Sequence, residues 1–172
     1  MLAGPISSRP MRWLLLHTIR ELVPGERIVG TARTDFPDEL FGDHFPGFHV
    51  TPGVLLVEMC AQLCGKLIEA SVVEERKHWV YPILSIVRES KFRAFVPPNT
   101  EVELRAQISS LRPESAECRA SVHIGKKRHA NMRLVFVFDP DGKPPSIEVD
   151  LEAWERDNFA QLGSPWQPPA PT

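Results

Sequence analysis

The run Thr51-Pro52-Gly53-Val54-Leu55-Leu56-Val57-Glu58 opens a segment that stays apolar through Met59, Cys60, Ala61, Leu63, Cys64, Leu67 and Ile68. Pro52 suits the first helical position, because the N–H it lacks would be unsatisfied there anyway, and Thr51 is a good N-cap. A helix is predicted over Val54–Val73, turning polar at Glu74-Glu75-Arg76-Lys77. Apolar residues on every side mark a buried helix. Glu58 is out of place in such a helix, since a charge there is costly unless it is paired or used. Just upstream, Asp43-His44-Phe45-Pro46-Gly47-Phe48-His49-Val50 sets two histidines around an aromatic Pro-Gly turn. Together these stretches predict an active-site loop feeding a buried helix.

On either side of this helix the pattern is β. Trp13 to Val23 is apolar with polar interruptions, Pro24-Gly25-Glu26 is a turn, and Arg27 to Thr34 is rich in β-branched residues, so a hairpin is predicted. Phe36 to Leu40 reads as loop with a short helical turn. Trp79 to Phe95 reads as a long strand whose start Pro82 weakens. After the Pro97-Pro98-Asn99 turn, Glu101 to Ile108 alternates with period two, the mark of a strand with one wet face. Ala116 to Ile124 and Ala130 to Phe138 are further strands around Gly125-Lys126-Lys127-Arg128. A short helix is predicted over Val149–Phe159, and Gly163 to Thr172, with four prolines, reads as a disordered tail. The order is hairpin, buried helix, then several antiparallel strands. It predicts an α+β fold in which a curved antiparallel sheet wraps one long central helix. The domain is placed at residues 1–145 and a C-terminal extension at 146–172.

Composition narrows the function. At 172 residues, 42% hydrophobic and 24% charged, the chain suits one globular domain. A net charge of -2 gives a general nucleic-acid role no electrostatic support. No apolar run is long enough to span a bilayer, and Trp13-Leu14-Leu15-Leu16 is too short for a signal core, so a cytoplasmic protein is expected. Cys60, Cys64 and Cys118 fit a reducing compartment. Cys60 and Cys64 share a helix face, but no second pair stands at metal spacing, so neither metal nor cofactor is expected.

The run His44-Phe45-Pro46-Gly47-x-x-Val50-x-Pro52-Gly53-Val54-Leu55-Leu56-x-Glu58-x-x-Ala61-Gln62 resembles the active-site signature of the β-hydroxyacyl-acyl carrier protein dehydratases of type II fatty acid synthesis. Lys91-Phe92-Arg93 with Pro97-Pro98-Asn99 and Val102-Glu103-Leu104 is similar to that family's central strand and following turn. Leu14-Leu15-Leu16 with Glu21-Leu22-x-Pro24-Gly25-Glu26 is similar to its opening hairpin. The resemblance implies the hot-dog fold and reversible loss of water from a (3R)-3-hydroxyacyl thioester, giving a trans-2-enoyl thioester.

By that resemblance His44 is the base, and its ordinary pKa near ~6.5 suits proton exchange at neutral pH. Val50 holds the other ring nitrogen through its carbonyl. Gly53 offers its N–H to the thioester oxygen at a helix N-terminus, where amides are free and the dipole favours negative charge. Glu58 is the acid, and Gln62, one turn on, orients its carboxyl group. Asp43, Phe48, His49 and Thr51 depart from the commonest pattern and would lie beside the substrate entrance. The implied partners are acyl carrier protein, met by a rim of Arg88, Lys91, Arg93 or Lys126-Lys127-Arg128, and a second copy of the chain. The homodimer would share its active sites, with a higher oligomer left open. On the residues alone other readings stand: Glu58 could pair with Arg88 or Arg93, and His44 could be structural or solvent-facing, while His44 and His49 as a metal pair lack a third ligand. The competing functions are a hot-dog acyl-thioester hydrolase, with Glu58 activating water, and a non-catalytic acyl-carrier-binding subunit.

Overall fold

The computed structural model describes residues 13–42, 44–141 and 150–170. Pro24-Gly25-Glu26 turns between β1 (Leu16–Val23) and β2 (Arg27–Arg33), which pair antiparallel as the sequence predicts. After the short α1 (Asp38–Gly42) comes α2 (Gly53–Arg76), then β3 (Ile83–Phe92), β4 (Glu101–Leu111), β5 (Ser115–Ile124), β6 (Lys127–Val137) and α3 (Leu151–Gln161). The six strands form one antiparallel sheet in the order β1-β2-β4-β5-β6-β3.

Period-two alternation sends Val102, Leu104 and Ala106 of β4, Ala116, Cys118, Ala120 and Val122 of β5, and Ala130, Met132, Leu134 and Phe136 of β6 to one face. That face closes on α2, whose Met59, Cys60, Leu63, Cys64, Leu67 and Ile68 are fully buried. Helix and sheet approach closely at Gly30, where a Cβ would lie 2.6 Å from the Thr18 carbonyl oxygen and 2.9 Å from Leu63 Cδ1. The three thiols are buried, and burial pushes Cys60 up to about 12, so they pack as small apolar groups.

Three elements differ from expectation. Helix α2 begins at Gly53 with Pro52 as N-cap, and Thr51 makes no cap bond to it. The Thr51 hydroxyl instead donates to the Pro97 carbonyl (3.2 Å) and its N–H to Val96 O (2.8 Å), tying the helix start to the β3–β4 connection. Strand β3 starts only at Ile83, after Pro82, and leaves the buried Trp79 outside it. The C-terminal stretch is no loose tail over the described residues 163–170. The Ile19 N–H donates to Leu162 O (2.8 Å), Trp166 packs edge-on to the fully buried Phe159 (5.0 Å), and Arg156 holds Pro169 O (2.6 Å). Phe159, Leu162 and Trp166 supply enough apolar surface to hold a proline-rich segment down.

That docking has a consequence for the sheet edges. The bond from Ile19 covers part of β1, one edge strand. The other edge, β3, leaves Ile83, Ile86, Val87 and Phe92 exposed.

Candidate active site

The loop between α1 and α2 is a built turn. His44 N–H donates to Phe41 O, the Val50 N–H to His44 O, and Phe45 and Phe48 exchange backbone bonds of 3.1 and 2.9 Å across Gly47, whose φ is +76°. The half-buried His44 ring places Nδ1 3.1 Å from the carbonyl of buried Val50. A carbonyl only accepts, so Nδ1 carries the proton and Nε2 of the neutral ring keeps its lone pair. The ring also stacks on Phe45 at 4.5 Å. Phe48 meets Phe95 edge-on at 5.4 Å, and both are exposed. His49 is exposed on one side and stacks on the buried Phe41 at 6.3 Å. Asp43 lies outside the described residues.

The loop then delivers the first amide of α2, at Gly53. The N–H groups of a helix's first turn have no intrahelical acceptor, so they point a positive field out of its end. A Cβ here would lie 2.7–3.1 Å from three atoms of the Phe92 ring on β3, so the ring would have to move for any other residue.

Glu58 sits five residues further along α2. Its Oε1 accepts from Trp13 Nε1 (3.1 Å) and Gln62 Nε2 (2.9 Å). Gln62 is held in turn by the Leu15 N–H on its Oε1 (2.8 Å) and by Trp13 O on its Nε2 (2.9 Å). Gln62 thus orients the carboxylate and is itself oriented by the chain entering β1. Arg88 pairs with Glu117 and Arg93 with Asn131, so neither is the partner of Glu58.

These residues fall into two groups. His44, Val50, Phe48, His49 and Gly53 belong to the loop and the helix start. Glu58 and Gln62 line a cleft of about 510 Å³ along one side of α2, and none of the loop group lines it. The rest of the cleft is Trp13, Leu14, Ala61, Gly65, Lys66, Glu69, Pro82, Leu84, Phe136, Trp154 and Glu155.

Its far end holds chemistry that the sequence reading missed. Lys66, Glu69 and Glu155 are each 5% exposed. Lys66 Nζ donates to Glu69 Oε2 (2.9 Å) and to Glu155 Oε2, and lies over the rings of Trp154 (5.8 Å) and Phe159 (5.1 Å). Burial, helped by the Glu155 charge and opposed by Lys66, pushes Glu69 up to about 8. Burial works against the Lys66 charge, but Glu69 and Glu155 outweigh it and raise its pKa. The available signal was a Lys and a Glu three apart in an otherwise apolar helix, as out of place as Glu58 itself.

Basic side chains also gather on the face of the sheet turned away from α2. Arg93, Arg105, Arg119 and Arg128 line a concavity of about 580 Å³ there.

The FabA-like domain model matches residues 7–135 of this chain. The chain is 35% identical over 125 residues to the 3-hydroxyacyl-[acyl-carrier-protein] dehydratase FabZ of Clostridium acetobutylicum, covering 73% of this chain and 86% of that protein. It is 32% identical to the FabZ of Ligilactobacillus salivarius over 73% of this chain and 87% of that one. Among solved structures, a mutant of the thioesterase enzyme SAV0944 from Staphylococcus aureus superposes with a TM-score of 0.57 at 12% identity, covering 72% of this chain and 93% of that one, which shows a shared hot-dog fold. With the signature at His44 to Gln62 held as described, the chain belongs to the FabA-like family of 3-hydroxyacyl-[acyl-carrier-protein] dehydratases.

Proposed function

We propose that this protein reversibly dehydrates (3R)-3-hydroxyacyl thioesters carried on acyl carrier protein, in fatty acid or related lipid synthesis. The observation that carries the reading is the fixed tautomer of His44, with Nδ1 committed to Val50 and Nε2 left basic, on the loop that delivers the first amide of α2. Nε2 takes the proton from the carbon beside the thioester carbonyl. Negative charge then builds on the thioester oxygen, where the Gly53 N–H and the end of the helix favour it. Protonated Glu58 gives its proton to the departing hydroxyl, and water leaves. The C–H and C–O electron pairs become the new double bond and the oxygen's lone pair, with the proton from carbon on His44 and the carboxylate left on Glu58. Hydration runs the same steps backwards. The acyl chain beyond the hydroxyl runs from Glu58 into the cleft along α2.

His44 and Glu58 act together in a dimer whose sites take the histidine from one protomer and the glutamate from its partner. Two features support this: the loop group lies apart from the Glu58 cleft, and β3 is an open edge with Ile83, Ile86, Val87 and Phe92 uncovered. An apolar edge strand is a template for pairing with another chain. Phe92 links that edge to Gly53 directly. The acidic carrier protein is met by basic residues, of which Arg93 and Arg128 lie in the outer concavity.

The test is hydration of a trans-2-enoyl thioester by the purified protein, followed by loss of enoyl absorbance and, in reverse, by its appearance. His44→Ala and Glu58→Gln should each lower turnover roughly 10²–10⁴-fold. Undiminished turnover in both variants, or release of free thiol as the main product, refutes the reading.

A further inference from the structure

The cleft beside Glu58 has a built end. Its floor is one stripe of α2, in which Glu58, Ala61, Gln62, Gly65, Lys66 and Glu69 recur at helical spacing. Ala61 and Gly65 keep that floor low. Gly65 is buried, yet a Cβ added there would meet nothing within 4 Å, so the open volume lies directly above it. Leu14, Pro82, Leu84 and Phe136 make apolar walls. Charge replaces hydrocarbon at Lys66, whose ammonium is bound by Glu69 and Glu155 and roofed by Trp154. An alkyl end cannot pass this point without separating buried, mutually satisfied ions, and it offers them nothing in exchange.

We infer that α3 is the end wall of the acyl cleft, with Trp154 and Glu155 closing it over Lys66, and that this wall sets an upper limit on acyl chain length. The inference rests on the dehydratase reading above. Helix α3 spans Leu151–Gln161, beyond residue 135, where the match to the FabA-like domain stops. It is fixed in place, because Phe159 is fully buried and Leu162 accepts a bond from Ile19 on β1. Burial raises the Glu69 pKa and so favours its uncharged form beside hydrocarbon.

The geometry sets the length. Glu58 and Lys66 are eight residues apart, about 12 Å along the axis at ~1.5 Å per residue. A zigzag alkyl chain with ~1.5 Å bonds advances roughly 1.25 Å per bond, so about nine or ten carbons fit beyond the hydroxyl-bearing one. The limit is therefore about twelve acyl carbons.

The experiment measures kcat/KM of the full-length protein on saturated 3-hydroxyacyl carrier-protein thioesters of roughly four to sixteen carbons, bracketing that limit. Wild type should drop at least about tenfold between roughly twelve and sixteen carbons, the size of one or two lost methylene contacts per step. Trp154→Ala, at a half-exposed position, should raise the ratio of the longest to the middle substrate by about tenfold or more. Gly65→Leu places a side chain in the open volume and should lower the ratio of middle to shortest substrate. A wild-type profile flat to the longest substrate, or ratios unmoved in both variants, overturns the end wall and leaves the dehydratase reading standing. No turnover of any substrate by wild type overturns the dehydratase reading and the wall with it.

Discussion

Two inactive variants should restore each other. If each site takes His44 from one protomer and Glu58 from its partner, His44→Ala dimers carry a base lesion in both sites and Glu58→Gln dimers an acid lesion in both. Mixing equal amounts with subunit exchange gives about half hybrid dimers. In each hybrid one site receives the native His44 of one chain and the native Glu58 of the other, while the second site receives both lesions. Recovered activity is therefore about one quarter of wild type per total protein, and about half for hybrids isolated with two different affinity tags. Against parent variants depressed roughly 10²–10⁴-fold, this rise is well above background. The separation behind it is structural: Glu58 is bound to Trp13 and Gln62 inside the cleft, whereas His44 is bound to Val50 in a loop that does not line it. The assay is enoyl thioester hydration before and after co-refolding or co-expression. No recovery in verified hybrid dimers would mean that base and acid come from the same protomer, and the shared-site reasoning fails.

Three further outcomes are expected. Lys66→Met leaves Glu69 and Glu155 facing each other without their cation, and urea unfolding should show a loss of about 3–5 kcal/mol. Glu69 holds its proton more tightly folded, with a pKa of about 8, than its ordinary 4.5, so its stabilising contribution is complete below about pH 4.5 and is lost as pH rises to about 8. Melting curves across that window should flatten in Glu69→Gln relative to wild type, and parallel curves would contradict the assignment. Gly53→Ala drives a Cβ into the Phe92 ring and should cost about 1–3 kcal/mol, and Gly53→Ala with Phe92→Ala should regain part of it, as thermal unfolding of the single and double variants would report.

The legible parts of this chain were those whose cause is local. The alternation of Glu101 to Ile108 reappears as the buried Val102, Leu104 and Ala106, and the Pro24-Gly25 turn closes the hairpin. Gln62 one turn after Glu58 does meet its carboxylate. Where the reading fell short, the cause is a partner far along the chain. Thr51 has good N-cap chemistry, but the Pro97 carbonyl takes its hydroxyl. Four prolines after Gly163 suggest a loose tail, but Trp166 finds Phe159 and Phe159 finds Trp79. Helix α2 reads as apolar all round because Glu58, Gln62, Lys66 and Glu69 are few. They nevertheless form one stripe, and what lies over that stripe is set by Glu155, 89 residues from Lys66.

That stripe explains why one helix can serve as both core and site. Where α2 faces the sheet, the fully buried Leu63, Cys64 and Leu67 leave no room for a ligand. Another side, with Glu58, Ala61, Gln62 and Gly65, lines the open cleft. Further on, at Lys66 and Glu69, the same side would expose an ion pair to a wide groove, and α3 covers it instead. Burying Lys66, Glu69 and Glu155 together is a poor way to gain stability, since apolar residues of similar volume would hold α3 at least as well. Ions at this place do what apolar residues would not: they end an apolar cleft with a surface that hydrocarbon does not wet. Replacing Lys66, Glu69 and Glu155 together by Met, Leu and Met should therefore keep the fold, while turnover extends to acyl chains longer than wild type accepts. A variant that folds as well and still stops at the wild-type length would leave the triad a purely structural clasp for α3.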